Sequence, residues 1–318
     1  MKVLHIVENF DGQAIESWLS QLNKEAITQG IDIDWSFFCL LQSPGKYSGD
    51  VLENDGEIIC SPYPISNFWT FMRNLRRVIV DGEYDVLHCH QDIMGGLFLL
   101  ASIGIPIQRR VVHIHNTSLE LPTNSRLKAF WGRVFFKWIC IKTADCIVGV
   151  SKYALAAFTG SKLTDEKFRV LHCGVDFTPY ADDKVISRGM RSELNIPGRA
   201  KIILFVGRMT SYKNPIYVAE ILNQVIGSGV ETYAVFSGVG PEVEQIVEFS
   251  EKMGISKNIR LLGRRDDIPH LMKSCDILIC PSSEEPKEGL GLVIIEAQAA
   301  GLKVLMSKSV PEEAVVIP

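Results

Sequence analysis

The feature that most constrains this chain is a change of hydrophobic period that repeats from end to end. Short apolar runs give way to longer amphipathic stretches, and the cycle begins again, which is the pattern of an α/β protein built on parallel sheets. In the first half the runs at 3–7, 33–38, 57–60, 86–88, 111–115, 146–150 and 169–171 predict strands, and 14–29, 67–80, 95–103, 125–143 and 152–158 predict the helices between them. The segment 177–197 breaks the rhythm with Pro179, Gly189 and Pro197, and is expected to be an inter-domain connection holding one short helix. The rhythm restarts at Lys201 with an apolar run that fits a strand buried on both faces. Further strands are expected at 232–236, 259–262, 277–280 and 304–306, with helices at 215–227, 241–253, 267–273 and 291–300. The expected fold class is α/β, with two doubly wound, Rossmann-like domains at 1–177 and 178–318 facing across a cleft at the C-terminal ends of their strands.

Composition removes several function classes. A chain of 318 residues that is 47% hydrophobic and 22% charged can bury two cores, so general disorder is excluded. A net charge of −4 gives no sign of nucleic acid as a partner. No apolar run approaches the roughly 18 residues that span a bilayer. The N-terminus enters a strand pattern directly, without the apolar core and cleavage site of a signal peptide. Eight cysteines with no C-x-x-C spacing read as reduced core thiols of a cytoplasmic protein.

Two nucleotide motifs are missing. The turn after the first strand lacks G-x-G-x-x-G, and Val243 stands where the 238–243 turn would need its third glycine. There is no P-loop either, so nicotinamide chemistry and Walker-type hydrolysis are not expected. What is present lies in the second half. The strand 201–206 runs into Gly207-Arg208 and then Lys213, two cations at the C-terminal end of a buried strand that together suit a diphosphate. Taken alone, the stretch reads equally as solvated loop charge. Farther on, Gly289 and Gly291 permit close backbone approach at a helix start whose free amides favour a phosphate, with Glu288 before it and Glu296 about one turn inside. Either glutamate by itself could be a cap or a solvated side chain; the full string favours a ligand site.

On these residues the chain resembles the GT-B glycosyltransferases of family 4, retaining enzymes that use a nucleotide-sugar donor. The resemblance covers nearly the whole sequence, and its most specific piece is the E-x7-E motif from Glu288 to Glu296. The Gly207-Arg208 and Lys213 stretch, the Gly238-Val239-Gly240 turn, the runs 84–90 and 111–117, and the segments 144–151 and 174–176 extend it. It is most similar to bacterial enzymes that assemble capsular or exopolysaccharide repeat units. The resemblance implies that Arg208 and Lys213 grip the donor diphosphate and stabilise the leaving nucleotide, without a metal or any other cofactor. It implies that Glu296 holds the ribose hydroxyls, and that Glu288 holds the transferred sugar with Gly289, Leu290, Gly291 and Leu292 around it. Gly238 and Gly240 would line the donor site, and backbone at Gly263-Arg264 would meet the base. His115 matches the family's active-site histidine, with Asn116 beside it, and Gly12 and Gln13 fall on the acceptor side. There the chain departs from the family's paired glycines, reading Gly12-Gln13-Ala14-Ile15-Glu16. The family's final helix is not found before Pro318, so slower domain closure is also expected.

Two features admit more than one reading. His88, His90, His113 and His115 share a strand face around Cys89, which is geometrically compatible with a metal. The resemblance favours an active-site role for His115, core or cleft lining for the others, and no metal. The segment 125–138 carries Leu127, Phe130, Trp131, Val134, Phe135 and Trp138 among Arg126, Lys128, Arg133 and Lys137. It is either a buried aromatic stripe with a solvated basic face or an interfacial helix on anionic lipid. The implied partners are therefore a nucleotide-diphosphate sugar, a glycan or lipid-linked acceptor, and an anionic membrane at its cytoplasmic face through 125–138. A nucleotide-sugar epimerase and a catalytically silent nucleotide-sugar-binding scaffold of the same fold are the competing functions.

Overall fold

The computed structural model describes residues 1–11, 14–118, 125–160, 166–181 and 188–317. The chain divides into two compact units, Met1–Gly174 and Val175–Pro318.

The first unit is built on seven strands: β1 (Lys2–Val7), β2 (Asp34–Cys39), β3 (Glu57–Cys60), β4 (Val86–Cys89), β5 (Arg109–Ile114), β6 (Cys146–Gly149) and β7 (Phe168–Val170). Their order is β3-β2-β1-β4-β5-β6-β7 and every pairing is parallel. The strand order reverses between β1 and β4, so the ends of these central strands form the switch point where doubly wound sheets bind ligands. Leu4, Ile6, Leu87, Val112 and Ile114 are fully buried in these strands, each contributing about 1.5–3 kcal/mol through apolar burial.

Two expectations need correction here. The helix expected at 95–103 is a shorter helix, Gly95–Leu99, followed by a 3-10 turn at Leu100–Ser102. Guanidinium groups capture the carbonyls beyond it: Arg76 donates to Ala101 and Ile103 at 2.8 Å each, and Arg110 to Ser102 and Ile105 at 3.1 and 2.9 Å. Nor is the aromatic stripe of 125–138 buried. The helix Arg126–Thr143 docks by its C-terminal end, where Ile139 and Cys140 are buried. Leu127, Phe130, Trp131, Val134, Phe135 and Trp138 are 47–68% exposed. Lys137 also leaves the basic face, because its ammonium donates to the carbonyl of Ala157 at 3.0 Å.

The second unit is a five-stranded parallel sheet of β8 (Lys201–Val206), β9 (Thr232–Ser237), β10 (Ile259–Leu261), β11 (Ile277–Cys280) and β12 (Lys303–Met306), in the order β10-β9-β8-β11-β12. Its switch point lies between β8 and β11. On one face Ile203, Phe205, Phe236 and Ile279 pack with Val218 and Leu222 of the helix Pro215–Gly227. The segment after Gly174 proves to be part of this unit. Its described residues include two short helices, Thr178–Ala181 and Arg188–Glu193. Arg191 anchors the second by donating to the Ala200 carbonyl at 2.7 Å and to Asp276 at 3.1 Å, while Leu194 and Ile196 are buried beside it.

Candidate active site

The loops leaving β8 and β11 are adjacent at the switch point of the second unit, and each delivers one charged group. After β8 the backbone makes a 3-10 turn at Ser211–Lys213, Asn214 enters the left-handed region at φ 51°, and Pro215 starts the next helix. That sequence suits its job, since asparagine tolerates this region and proline sits well at a first helical position. It places the Lys213 ammonium 2.6 Å from Oε2 of Glu288, with both side chains largely buried. Burial alone would pull the lysine pKa down, but the Glu288 charge and hydrogen bond outweigh it and hold it above its ordinary value.

Glu288 is fixed from two further directions. The Ser282 hydroxyl donates to the same carboxylate oxygen at 3.1 Å, and the Glu288 amide donates to the Ser309 carbonyl at 3.1 Å. Ser307 and Ser309 in turn donate to the Ser282 carbonyl at 2.7 and 2.8 Å, tying the loops after β11 and β12 together. Tyr212 sits between the cations: its hydroxyl accepts from Arg208 at 2.7 Å, and its ring lies 5.6 Å from that guanidinium and 5.5 Å from the Lys213 ammonium. Arg208 itself is exposed.

The glycine turn has a different origin from a phosphate cradle. The amides of Gly207, Met209 and Glu242 donate to Ser237, Val239 and Met209 at 2.9, 2.9 and 3.0 Å, and the Gly238 amide donates to the Gly263 carbonyl at 2.7 Å. Main-chain bonds thus zip the loops after β8, β9 and β10 together. A side chain on Gly238 would put its first carbon 1.8 Å from the Gly207 oxygen, and one on Gly240 would come 2.3 Å from the Met209 oxygen. These glycines, both at positive φ, are needed for loop contact. Arg264 follows Gly263 and is exposed.

Gly291 caps the helix Leu292–Ala299 at φ 85°, so the helix starts one residue later than expected. Leu290 is buried, Gly289 and Leu292 are half-buried, and Glu296 lies in the second turn. Burial pushes the Glu296 carboxyl up to about 7. The structure therefore pairs Lys213 with Glu288 and holds Arg208 on the neighbouring Tyr212, with the helix of Glu296 following directly. Tyr212 and Ser282, which hold these side chains, were missed because neither residue type nor spacing marks them.

In the first unit, His115 and Asn116 follow β5. Asp92 binds this end: one carboxylate oxygen accepts the amides of His115 and Asn116 at 2.6 and 3.2 Å, and the other accepts the Asn116 side chain at 2.8 Å. Asp92 went unselected because nothing in the sequence couples it to residues 23 and 24 positions away. Burial, with a smaller push from His88, lowers His115 to about 3, so it is neutral at physiological pH. Glu16 is buried, and burial raises its carboxyl to about 7. Gly12 and Gln13 lie outside the described residues.

The family described as Glycosyltransferase Family 4 matches residues 16–178, and the one described as Glycosyl transferases group 1 matches 187–318. The chain belongs to glycosyltransferase family 4. With its parallel sheets of seven and five strands it has the family's GT-B fold. This family 4 chain is 28% identical over 319 residues to the putative glycosyltransferase EpsF of Bacillus subtilis, covering 98% of this chain and 80% of that protein. It is 28% identical over 246 residues to the UDP-Gal:alpha-D-GlcNAc-diphosphoundecaprenol alpha-1,3-galactosyltransferase of Escherichia coli, covering 74% of this chain and 60% of that enzyme. Among solved structures, Anabaena HepE in complex with UDP-glucose superposes with a TM-score of 0.79 at 18% identity, covering 100% of this chain and 83% of that one.

Proposed function

We propose that this family 4 chain is a retaining, metal-independent glycosyltransferase. It moves a sugar from a nucleoside-diphosphate donor to a glycan or lipid-linked acceptor in cell-surface polysaccharide synthesis. The observation that carries this reading is the Lys213–Glu288 pair at the switch point of the second unit, with Arg208 exposed beside it. When the donor's glycosidic bond breaks, negative charge grows on the departing diphosphate. A fixed ammonium and a guanidinium stabilise that charge in the role a metal has elsewhere. Glu288, held by Ser282, accepts hydrogen bonds from hydroxyls of the transferred sugar, and Glu296 accepts them from the ribose. His115, neutral and buried, offers one polar nitrogen beside the sugar. The acceptor hydroxyl enters on the face from which the diphosphate leaves, which retains configuration without a covalent nucleophile.

Uridine is the first base to try, since the names of the HepE complex and of the E. coli relative both contain UDP. Calorimetric titration with UDP, GDP, ADP and dTDP in EDTA tests the reading. One nucleotide should bind at micromolar concentration without metal. Its affinity should rise through pH 7, because Glu296 is protonated below that point and accepts both ribose hydrogen bonds only when ionised. No binding by any of the four, at any pH, defeats the donor-site assignment.

The helix Arg126–Thr143 supports a lipid-linked acceptor. Its exposed apolar stripe is flanked by Lys128 and Arg133, and the helix has no acidic residue. That combination suits an anionic bilayer surface. The chain should co-sediment with phosphatidylglycerol vesicles. The double substitution Lys128→Glu and Arg133→Glu should weaken this at least about ten-fold, on the scale of roughly 1 kcal/mol per basic residue. Unchanged sedimentation removes the membrane from the proposal.

A further inference from the structure

Five imidazoles crowd the centre of the first unit: His5 in β1, His88 in β4 with His90 just beyond it, and His113 in β5 with His115 just beyond it. The parallel register pairs His5 with His88 and His88 with Val111. The two-residue strand period then brings the rings together on one face. Only His88 is not fully buried.

The rings meet edge to edge in two rows. In one, Nδ1 of His5 lies 3.0 Å from Nε2 of His90, and Nδ1 of His90 lies 3.0 Å from Nε2 of His115. In the other, Nε2 of His88 lies 3.2 Å from Nδ1 of His113. The rows stack, His88 on His90 and His113 on His115, with centroids 4.1 Å apart. The edge of Trp18 closes the cluster against His90, His113 and His115. Burial lowers the affinity of all five for a second proton, and repulsion from neighbouring rings adds to this at His5, His90, His113 and His115. Each ring therefore holds one proton.

A row of neutral imidazoles has only two proton arrangements, because every ring must donate once and accept once. In the first, the protons sit on Nδ1 of His5, His90 and His115, and the far end of the row is the bare lone pair of His5 Nε2. In the second, they sit on the three Nε2 atoms, and the far end is an N–H at His5 Nε2. That atom is buried and has no hydrogen-bond partner among the described residues. A buried N–H without an acceptor is the rarer and less favourable orphan, so the first arrangement prevails.

We propose that His90 and His5 are positioning residues that lock His115 in the tautomer with its proton on Nδ1, making the nitrogen outside the row a hydrogen-bond donor. The catalytic consequence rests on the proposed role of His115 beside the transferred sugar. There, a donor is matched to a sugar or phosphate oxygen and not to a hydroxyl proton. Neither His5 nor His90 needs to touch substrate, and the lock adds no charge to the core.

The test is 15N NMR of the full chain labelled at histidine, in EDTA, from about pH 5 to 8, the range in which an ordinary histidine titrates. His115 should show a pyrrole-type Nδ1 and a pyridine-type Nε2 throughout. His90→Phe fills the space without a hydrogen bond. It should drive His115 towards tautomer averaging and lower donor-sugar turnover roughly ten- to hundred-fold, the scale of losing an orienting partner, with a smaller change in donor KM. His90→Gln, which can bond His115 again, should recover most of both. A His115 pattern unaltered by His90→Phe overturns the proposal, as does a wild-type pattern with the proton on Nε2. Nitrogens of His5, His88 and His90, and of His90, His113 and His115, lie within 4.8 Å of one another in each set. Titration with Zn2+ that replaces the tautomer pattern by metal-bound shifts at micromolar metal also overturns it, since an ion would displace the row. If the tautomer is as proposed but His115→Asn leaves turnover intact, the active-site reading of His115 fails while the lock stands.

Discussion

Glu288→Gln should reduce sugar-transfer turnover about a hundred-fold or more, the scale of losing one preorganised transition-state contact, while nucleotide affinity stays equal or improves. The two effects diverge because Glu288 and Lys213 neutralise each other at 2.6 Å. Glutamine keeps the shape and can still accept from Ser282 and Lys213, but it no longer competes with a diphosphate for the ammonium charge. Lys213→Ala should differ by lowering affinity as well as turnover. Nucleotide affinity should fall about ten-fold or more, on the 1.5–3 kcal/mol scale of charge-assisted bonds. The protein should also lose stability, because removing one member of a buried pair strands the other. Calorimetry for affinity and steady-state kinetics for turnover separate the two variants. Parallel losses in affinity and turnover for Glu288→Gln would contradict the assignment of that carboxylate to the sugar.

Gly238→Ala should be the most damaging single-methyl change in the second unit. The added carbon would lie 1.8 Å from a backbone oxygen that cannot rotate away, at a φ of 143° that L side chains rarely adopt. The loops after β8 and β9 must then separate, breaking the main-chain bonds between them. We expect about 3 kcal/mol or more of destabilisation, the upper end of overpacking costs, together with loss of nucleotide binding. Gly227→Ala is the control: it ends the helix Pro215–Gly227, and nothing lies within 4 Å of an added carbon. Scanning calorimetry should find it neutral or stabilising, and equal melting shifts for the two variants would refute the steric account. Tryptophan fluorescence would miss the event, since the five tryptophans all fall between Trp18 and Trp138.

The strand and helix pattern was legible because period and length both change at each boundary, and β8 stands out through its uninterrupted Ile202-Ile203-Leu204-Phe205 core. What failed depended on distant partners. The helix at 95–103 ends early because Arg76 and Arg110 reach its carbonyls from other elements. The stripe at 125–138 has helical spacing whether or not a neighbour covers it, so the pattern could not distinguish burial from exposure. In the site, Arg208 and Glu288 carry charge beside glycines, with Lys213 and Glu296 at short fixed spacings from them, and all four can be picked out along the chain. Asp92, and Ser282 through its carbonyl, act through contacts spanning loops, which the local sequence does not encode, while Tyr212 acts within its own loop but carries no residue-type signal. The four histidines in and just beyond β4 and β5 were visible as a group, whereas His5 joins them only through the pairing of β1 with β4.

The main-chain zipper joining the loops after β8, β9 and β10 also bears on how such a site diversifies. Because the loops are held by amides and carbonyls, exchanging the exposed side chain of Val239 leaves those main-chain bonds in place. On the proposed donor-site reading, point changes at Val239 alter the surface of that site at little expense to folding. If that reading holds, side-chain identity on these loops is uncoupled from stability, and a lineage built on this scaffold can change the donor surface by single substitutions while the glycines stay put.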